Sequence, residues 1–292
     1  MQLIINALIA GSLAALIAGG LSLVYGTLGV FNLALGQIVL IGGYATWWLH
    51  QEIHLPLSIS IIGGLGVGAI LSWATFEICV EPFWKRHRFL PLVTTIALSM
   101  ILDGIILLLF EERPRAILPG LKDPLNILGA NINDAQIGLI TITLLLLIGF
   151  AYVLHSTPFG RKLRAVVQHP HAAQSLGINA PKLNRLIFIL SGMLAACGGI
   201  YQCIDQNLTP TLAFPITIKA YAAIIAGGKG HFWGAILCAY LIALLEQLAI
   251  GVPWFGGHYI SAGYQQTVAL LFIVVFLLFK PTGLFVSRTR TA

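Results

Sequence analysis

Charge is scarce in this chain. Of its 292 residues only 9% are Asp, Glu, Lys or Arg, against about 25% in ordinary soluble domains. With 58% hydrophobic residues, a soluble fold of this length would lack the polar surface to cover its core, because core size is limited by surface-to-volume scaling. The bilayer must be the solvent for most side chains. Equally absent is any long polar stretch that could fold as a nucleotide-binding or catalytic domain, so any ATP that drives the protein sits on another chain. No His-Glu-x-x-His, Gly-x-Ser-x-Gly or phosphate-cradling Gly-x-x-x-x-Gly-Lys-Ser/Thr occurs, which leaves no enzyme site to read. Cysteine is sparse too: Cys79, Cys197, Cys203 and Cys238 lie in or beside apolar runs without metal-ligand spacing, where thiols behave as small hydrophobes. The histidines are scattered, and Asn207-Leu208-Thr209 matches a glycosylation sequon that arises often by chance.

The net charge is +6, but the basic residues sit in short loops between apolar runs, which reads as membrane anchoring rather than nucleic-acid binding. A spanning helix needs roughly 20 mostly apolar residues. On that ruler, apolar segments fall near 6–29, 35–50, 57–79, 90–110, 137–155, 186–204, 214–227, 232–250 and 264–280. The expectation is an all-α integral membrane protein: one transmembrane domain, 1–292, of eight to nine spans, some broken or short. The first segment follows no basic n-region, so it reads as a retained span rather than a cleaved signal. Loop 81–89 carries Lys85, Arg86 and Arg88, loop 156–185 carries Arg161, Lys162, Arg164, Lys182 and Arg185, and the tail carries Arg288 and Arg290. These regions are expected on the cytoplasmic side, and the mixed-charge loop 111–136 outside.

Three features interrupt this mass. Loop 156–185 has a helix-like stretch from Arg161 to Gln168, a break at Pro170, a short apolar helix over His171–Leu176 and a stop at Gly177, a natural residue just past a helix end. It reads as a docking surface, with Ala172, Ala173, Leu176 and Ile178 as the apolar knob; the plainer reading is a basic anchor on anionic headgroups. Two glycine-rich breaks, residues 26–36 and 226–234, abut the short segments. Irregular backbone at membrane depth is tolerated only where it is buried in protein or lines a cavity, and paired breaks mark transport pathways. Gly26, Gly29, Asn32, Gly36, Gln37, Gly227, Gly228 and Gly230 are therefore pathway candidates, with close helix packing as the alternative. That alternative suits Gly63, Gly64, Gly66 and Gly68 better. Finally, Glu77, Asp103, Lys219 and Glu246 lie in apolar runs, where a charge at the bilayer centre costs about 2.5–3.5 kcal/mol on insertion scales. Glu77 is expected to pair with Lys85 or Arg86 and Lys219 to snorkel. Asp103 and Glu246 are read as buried, in structural or inter-subunit hydrogen bonds.

The run GRKLRAVVQHPHAAQSLGINAPKLNRLIFILSGMLAACGGI resembles the coupling region of branched-chain amino-acid ABC transporter permeases. YGTLGVFNLALGQIVLIGGY (25–44), Glu77 with its basic loop and Leu92-Val93-Thr94-Thr95, AYAAIIAGGKGHFWGAILCAYLIALLE (220–246) and Lys280-Pro281-Thr282-Gly283-Leu284-Phe285 resemble further family segments in the same order. Two departures stand out. Gln168-His169 replaces the family's acidic pair, and Asn32-Leu33-Ala34-Leu35-Gly36-Gln37 lacks the His and Glu of its Asn-x-Ala-His-Gly-Glu pattern. The resemblance implies a bacterial inner-membrane permease subunit for branched-chain or other neutral amino acids. It implies as partners a second homologous permease, cytoplasmic ABC ATPase subunits and an external substrate-binding protein, with ATP and Mg on the ATPases and no cofactor on this chain. Arg161, Arg164, Gln168, Pro170, Ala172, Ala173, Leu176 and Gly177 would form the coupling loop. The rival readings are a sister permease for urea, short amides or another polar nutrient, and an ion-coupled secondary transporter using Asp103 and Glu246.

Overall fold

A computed structural model describes residues 2–84, 86–87, 89–117, 125–127, 130–228, 230–251, 261–280 and 283–285. The helices are α1 (Gln2–Leu28), α2 (Leu35–Gln51), α3 (Leu57–Thr75), α4 (Glu81–Trp84), α5 (Leu90–Phe110), α6 (Asp134–Ser156), α7 (Pro158–Gln168), α8 (Pro170–Ser175), α9 (Ala180–Asp205), α10 (Ala213–Gly227), α11 (Phe232–Gly251) and α12 (Gln265–Phe279). A small antiparallel hairpin, β1 (Leu125–Ile127) with β2 (Ala130–Ile132), is the one addition to an otherwise helical bundle among the described residues. Its register pairs Leu125 with Ile132.

Among the described residues, seven helices are long and apolar enough to cross a membrane. This count does not confirm the eight to nine crossings expected, and in it α10 enters together with the 3-10 turn at Pro210–Leu212 that precedes it. At about 1.5 Å per residue, the 17 residues of α2 and the 15 of α12 fall short of a hydrocarbon core of ~30 Å. In the other direction, the segment expected to end near residue 79 runs on to Trp84, because a π-helical turn at Phe76–Val80 joins α3 to α4. There the Glu81 N–H reaches back five residues to Phe76 O. Pro82, the next residue, has no N–H to donate, and the widened turn lets the helix continue past it.

The centre is built from α1, α2, α9 and α11, and its contacts use residues without bulk. Ala15, Ala18, Leu21 and Val24 of α1 are fully buried. A Cβ on Gly42 would lie 2.9 Å from Ala196 Cα, one on Gly43 would lie 2.7 Å from Gly199 O, and one on Gly199 would collide with Val39 O. Association of helices in lipid rests on such close packing, since lipid tails are as apolar as leucine. The sequence-based packing assignment holds for Gly63, Gly64 and Gly68, which meet Leu49, Thr46 and Ala196; Gly66 faces open space. Around this centre, α3, α5 and α6 expose apolar side chains such as Ile62, Met100, Leu108 and Leu145.

Long-range hydrogen bonds define two ends. At one, Gln2 exchanges hydrogen bonds with the Asn131 backbone, Gln136 Nε2 donates to Asp205 Oδ1 at 2.8 Å and Gln51 Nε2 donates to Ile117 O at 2.9 Å. At the other, Trp84 Nε1 donates to Leu28 O at 3.3 Å and Arg185 pairs with Glu77, beside α7 and α8. Segment 111–136 and loop 156–185, expected on opposite sides, fall at these opposite ends. We expect Gly199→Val to lower the melting temperature of the detergent-solubilised protein, with a cost on the order of 1–3 kcal/mol, because its side chain has only backbone to displace. Unchanged thermal unfolding would contradict the packing described for α2 and α9.

Candidate translocation and coupling sites

The first glycine break is a piece of unwound chain at membrane depth. Leu28 ends α1, and Gly29 follows at φ +64 with its N–H bonded to Tyr25 O at 2.9 Å. A Cβ at Gly29 would meet nothing within 4 Å, so glycine is needed for the left-handed turn and not for space. Residues 30–34 then climb alongside α10. Gly26 lies against Gly230, the Phe31 ring is 5.4 Å from that of Tyr221, and Gly36 presses on Ala213 and Thr217. Val30, Asn32 and Ala34 are buried and Phe31 and Leu33 half-buried, as suits irregular backbone packed within protein. Asn32 Oδ1 accepts the Ala34 N–H at 3.1 Å, and Thr95 Oγ1 of α5 accepts the Leu33 N–H at 3.3 Å.

The short helix α2 therefore begins inside the bundle, with the positive end of its dipole and its first free N–H groups there. One turn in, Gln37 Nε2 donates to both oxygens of Asp103 at 3.2 Å. Asp103 is only half-buried, a correction to the sequence reading, whereas Gln37 is 3% exposed. Asn32 Nδ2 and Gln37 Oε1 are buried without a hydrogen-bond partner. Asn32, Gly36, Gln37 and Asp103 thus come together around the start of α2.

The second break is different in kind. Leu284 N donates to Ala226 O at 2.8 Å and Phe285 N to Gly227 O at 3.2 Å, while the Phe285 ring stacks on His231 at 5.2 Å. The tail thereby satisfies carbonyls that α10 leaves open at its end. A Cβ on Gly227 would strike Gly234, and one on Gly228 would strike Phe285 O. These two glycines serve close packing and capping; among the described residues, Gly230 of this break lies against Gly26 at the first.

Loop 156–185 folds as two helices. Thr157 Oγ1 accepts the Gly160 N–H at 3.4 Å to start α7 at Pro158, three residues before the helix-like stretch read from sequence. Gly160 is small because a Cβ there would collide with Leu154 O. Leu163 and Val166 face inward while Arg161, Lys162 and Gln168 face outward, an amphipathic helix lying across the bundle end. Arg164 instead caps α6, donating from Nη1 to Leu154 O at 2.6 Å and from Nη2 to His155 O at 3.1 Å. A cleft of ≈ 210 Å³ lies between α7 and the end of α1, lined by Leu163, Val167, Ser22 and Gly26. Helix α8 stops at Gly177, φ +80, by donating Gly177 N–H to Gln174 O and Ile178 N–H to Ala173 O, the Schellman pattern. Leu176 is 80% exposed but Ala173 is 2% exposed. The expected knob therefore loses Ala173, which packs inward to hold α8 down; Ala172 and Leu176 remain outside. The side chains of Pro170 and His171 lie outside the described residues.

The intramembrane charges are paired across distance. Glu77 pairs with Arg185 at the start of α9 rather than with Arg86, and Glu81 Oε2 lies 3.8 Å from the same guanidinium, while Lys85, the other partner expected for Glu77, lies outside the described residues. Arg185 thus ties α9 to the π-helical turn, and Trp84, one turn on, holds the last carbonyl of α1. Lys219 does not snorkel: its Nζ lies 2.8 Å from both oxygens of Glu246. Sequence reading missed both pairs, since the partners are far apart in the chain.

Over residues 3–279 the sequence matches the family described as branched-chain amino acid transport system / permease component. The chain belongs to that permease family. It is 28% identical to the high-affinity branched-chain amino acid transport system permease protein BraD of Pseudomonas aeruginosa, over 97% of this chain and 95% of that protein. It is 29% identical to a probable branched-chain amino acid transport permease protein LivH of Methanocaldococcus jannaschii, covering 96% and 90%. The ribose import permease protein RbsC of Haemophilus influenzae is 27% identical, covering 94% and 84%. As a permease, the chain joins its charged side chains by salt bridges that a double-mutant cycle can weigh. For Glu77→Gln and Arg185→Gln we expect non-additive losses in thermal unfolding, with a coupling of about 0.2–1 kcal/mol because both groups are partly exposed. Strict additivity would remove the tie between α9 and the π turn.

Proposed function

We propose that this permease is the membrane subunit of an ATP-driven importer that takes up amino acids delivered by an external binding protein. The family match over residues 3–279 carries the reading. In it, the membrane is the bacterial inner membrane, and the end bearing α7 and α8 is cytoplasmic, as Arg161, Lys162, Arg164, Lys182 and Arg185 at that end favour. ATP and Mg belong to ATPase partners, and a second permease chain completes the pore.

The geometry supports the following mechanism. Closure of the ATPase subunits pushes on the exposed Ala172 and Leu176. Helix α8 is short and tied to α9 through Ala173 and Ile178, so the push reaches the start of α9. Arg185 passes it to Glu77 and Glu81, and Trp84 passes it to the end of α1. Beyond that end lies the unwound segment, whose position sets access to the start of α2. A solute there meets free N–H groups, the Gln37 amide and the Asp103 carboxylate: partial charges and one whole negative charge that suit a polar nutrient. The rival ion-coupled mechanism fits less well, because Asp103 is held by Gln37 and Glu246 by Lys219. The ribose relative keeps a neutral polar nutrient as the second reading.

Uptake into vesicles that contain the permeases but lack ATPase subunits and ATP should be absent; persistent uptake would remove the importer reading. Ala172→Asp with Leu176→Asp should abolish ATPase association while leaving insertion and thermal stability unchanged. Ala173→Asp should instead destabilise the permease itself, by roughly 1–3 kcal/mol for a polar group placed in a packed site. Wild-type assembly and uptake in the first variant would remove α8 from the docking surface.

A further inference from the structure

Helical periodicity gives α10 two working faces. Thr217 and Tyr221 point to the unwound segment, while Ile216 and Lys219 point the other way. On that second side, α1, α9, α10 and α11 enclose a cavity of ≈ 260 Å³. Its wall is mixed. Ile9, Leu13 and Ile17 of α1 with Ile242 and Ala243 of α11 make an apolar side, and Lys219, Glu246, Gln202, Asp205 and Gln247 make a polar one. The position of Asp205 and Gln206 in its lining places it toward the end that carries the β hairpin. The volume is that of a handful of water molecules at ~30 Å³ each, slightly below the range of about 300–1,000 Å³ for drug-sized ligands. It suits a molecule of a few heavy atoms.

The ion pair on this wall is costly to build. Glu246 is 2% exposed and Lys219 26%, and a buried ion pair is weak evidence of stability, since desolvation offsets the Coulombic gain. Packing alone would be served as well by two apolar residues. Intramembrane ionisable groups that face a cavity are functional-site candidates by default.

We propose that this cavity is a binding site for a free amino acid, separate from the start of α2. Lys219 takes the α-carboxylate and Glu246 the α-ammonium, with the zwitterion inserted between the two charges. The aliphatic side chain lies against Leu13, Ile17 and Ile242. A zwitterion exchanges one opposite-charge pair for two and leaves the net charge of the site unchanged. A sugar or an amide offers either partner hydrogen bonds but no opposite charge, so this site deepens the importer reading by favouring amino acids over the neutral nutrient of the ribose relative. It rests on that reading for its role in transport.

The test uses the complex of permease and ATPase chains in lipid nanodiscs, without the external binding protein, and equilibrium binding of labelled L-leucine. Wild type should bind. The double variant Lys219→Met/Glu246→Gln, which removes both charges and so leaves neither stranded, should lose binding at least tenfold while retaining assembly and melting temperature without ligand. L-leucine should raise the melting temperature of wild type and not of the double variant. Isoamylamine and 4-methylpentanoate, each carrying one of the two charges, should compete at least tenfold more weakly than L-leucine. Wild-type affinity in the folded double variant, equal competition by either single-charge analogue, or absence of L-leucine binding in a wild-type complex that still pumps it would each overturn the site and leave the importer standing. A double variant that fails to assemble would also overturn it, by showing the pair to be structural. Loss of ATP dependence in wild-type uptake would instead overturn the importer reading, whatever the binding shows.

Discussion

Backbone that leaves the α-helix inside a bilayer must find its hydrogen-bond partners within its own protein, and in residues 29–34 the N–H groups of Gly29, Leu33 and Ala34 find them in Tyr25 O, Thr95 Oγ1 and Asn32 Oδ1, with α5 and α10 as walls. Much of the architecture follows from it. The unwound segment occupies length that helix would otherwise fill, so α2 is short and starts inside the bundle. Its walls must come close, so Gly26 faces Gly230 and Gly36 faces Ala213 and Thr217. Thr95 answers an amide of the break, and Gln37 reaches Asp103 only because α5 stands beside the first turn of α2. Unsatisfied amide groups at membrane depth cost several kcal/mol each, which makes this the least substitutable part of the chain.

Most of the helical framework is written locally in the sequence. Apolar runs of the right length locate the spanning helices, and glycine clusters locate both breaks. The stop of α8 at Gly177 is legible for the same reason: a Schellman motif is a property of six consecutive residues. What the breaks do is not legible. Both are glycine-rich, yet one is unwound chain along α10 and the other a turn capped by Leu284 and Phe285. The distinction depends on a tail more than 50 residues away in the chain, as the separation of Phe285 from Gly227 shows.

Charges illustrate the same limit. An isolated Glu77 beside a basic loop invites pairing with its neighbours in sequence, because chain proximity is all that a sequence displays. In the fold, Glu77 meets the guanidinium of Arg185, brought there by α9 packing along α3. Lys219 and Glu246 looked independent for the same reason: one suited to snorkelling, the other buried. Their contact is set by the turn between α10 and α11, which folds the two helices antiparallel and brings residues 27 apart to one level. Ala173 shows the smaller-scale version. Composition marks α8 as apolar, but only the packing of α8 on α9 decides which of its alanines is buried.

These placements give α10 a position between two chemistries. One face abuts unwound backbone and Gly36; the other carries the ammonium of Lys219 into a cavity lined in part by α1. A helix packed this way cannot shift along one face without changing the other, because interiors at native packing density transmit displacement rather than absorb it. The end of α10 is also fixed, since the tail bonds to its last carbonyls and Gly230 touches α1. A push that arrives through Trp84 at the end of α1 therefore bears on α10 at its anchored end. The free response is a rotation or tilt of its far portion, where Thr217 and Lys219 lie, and such a movement would open one of the two faces as it closes the other.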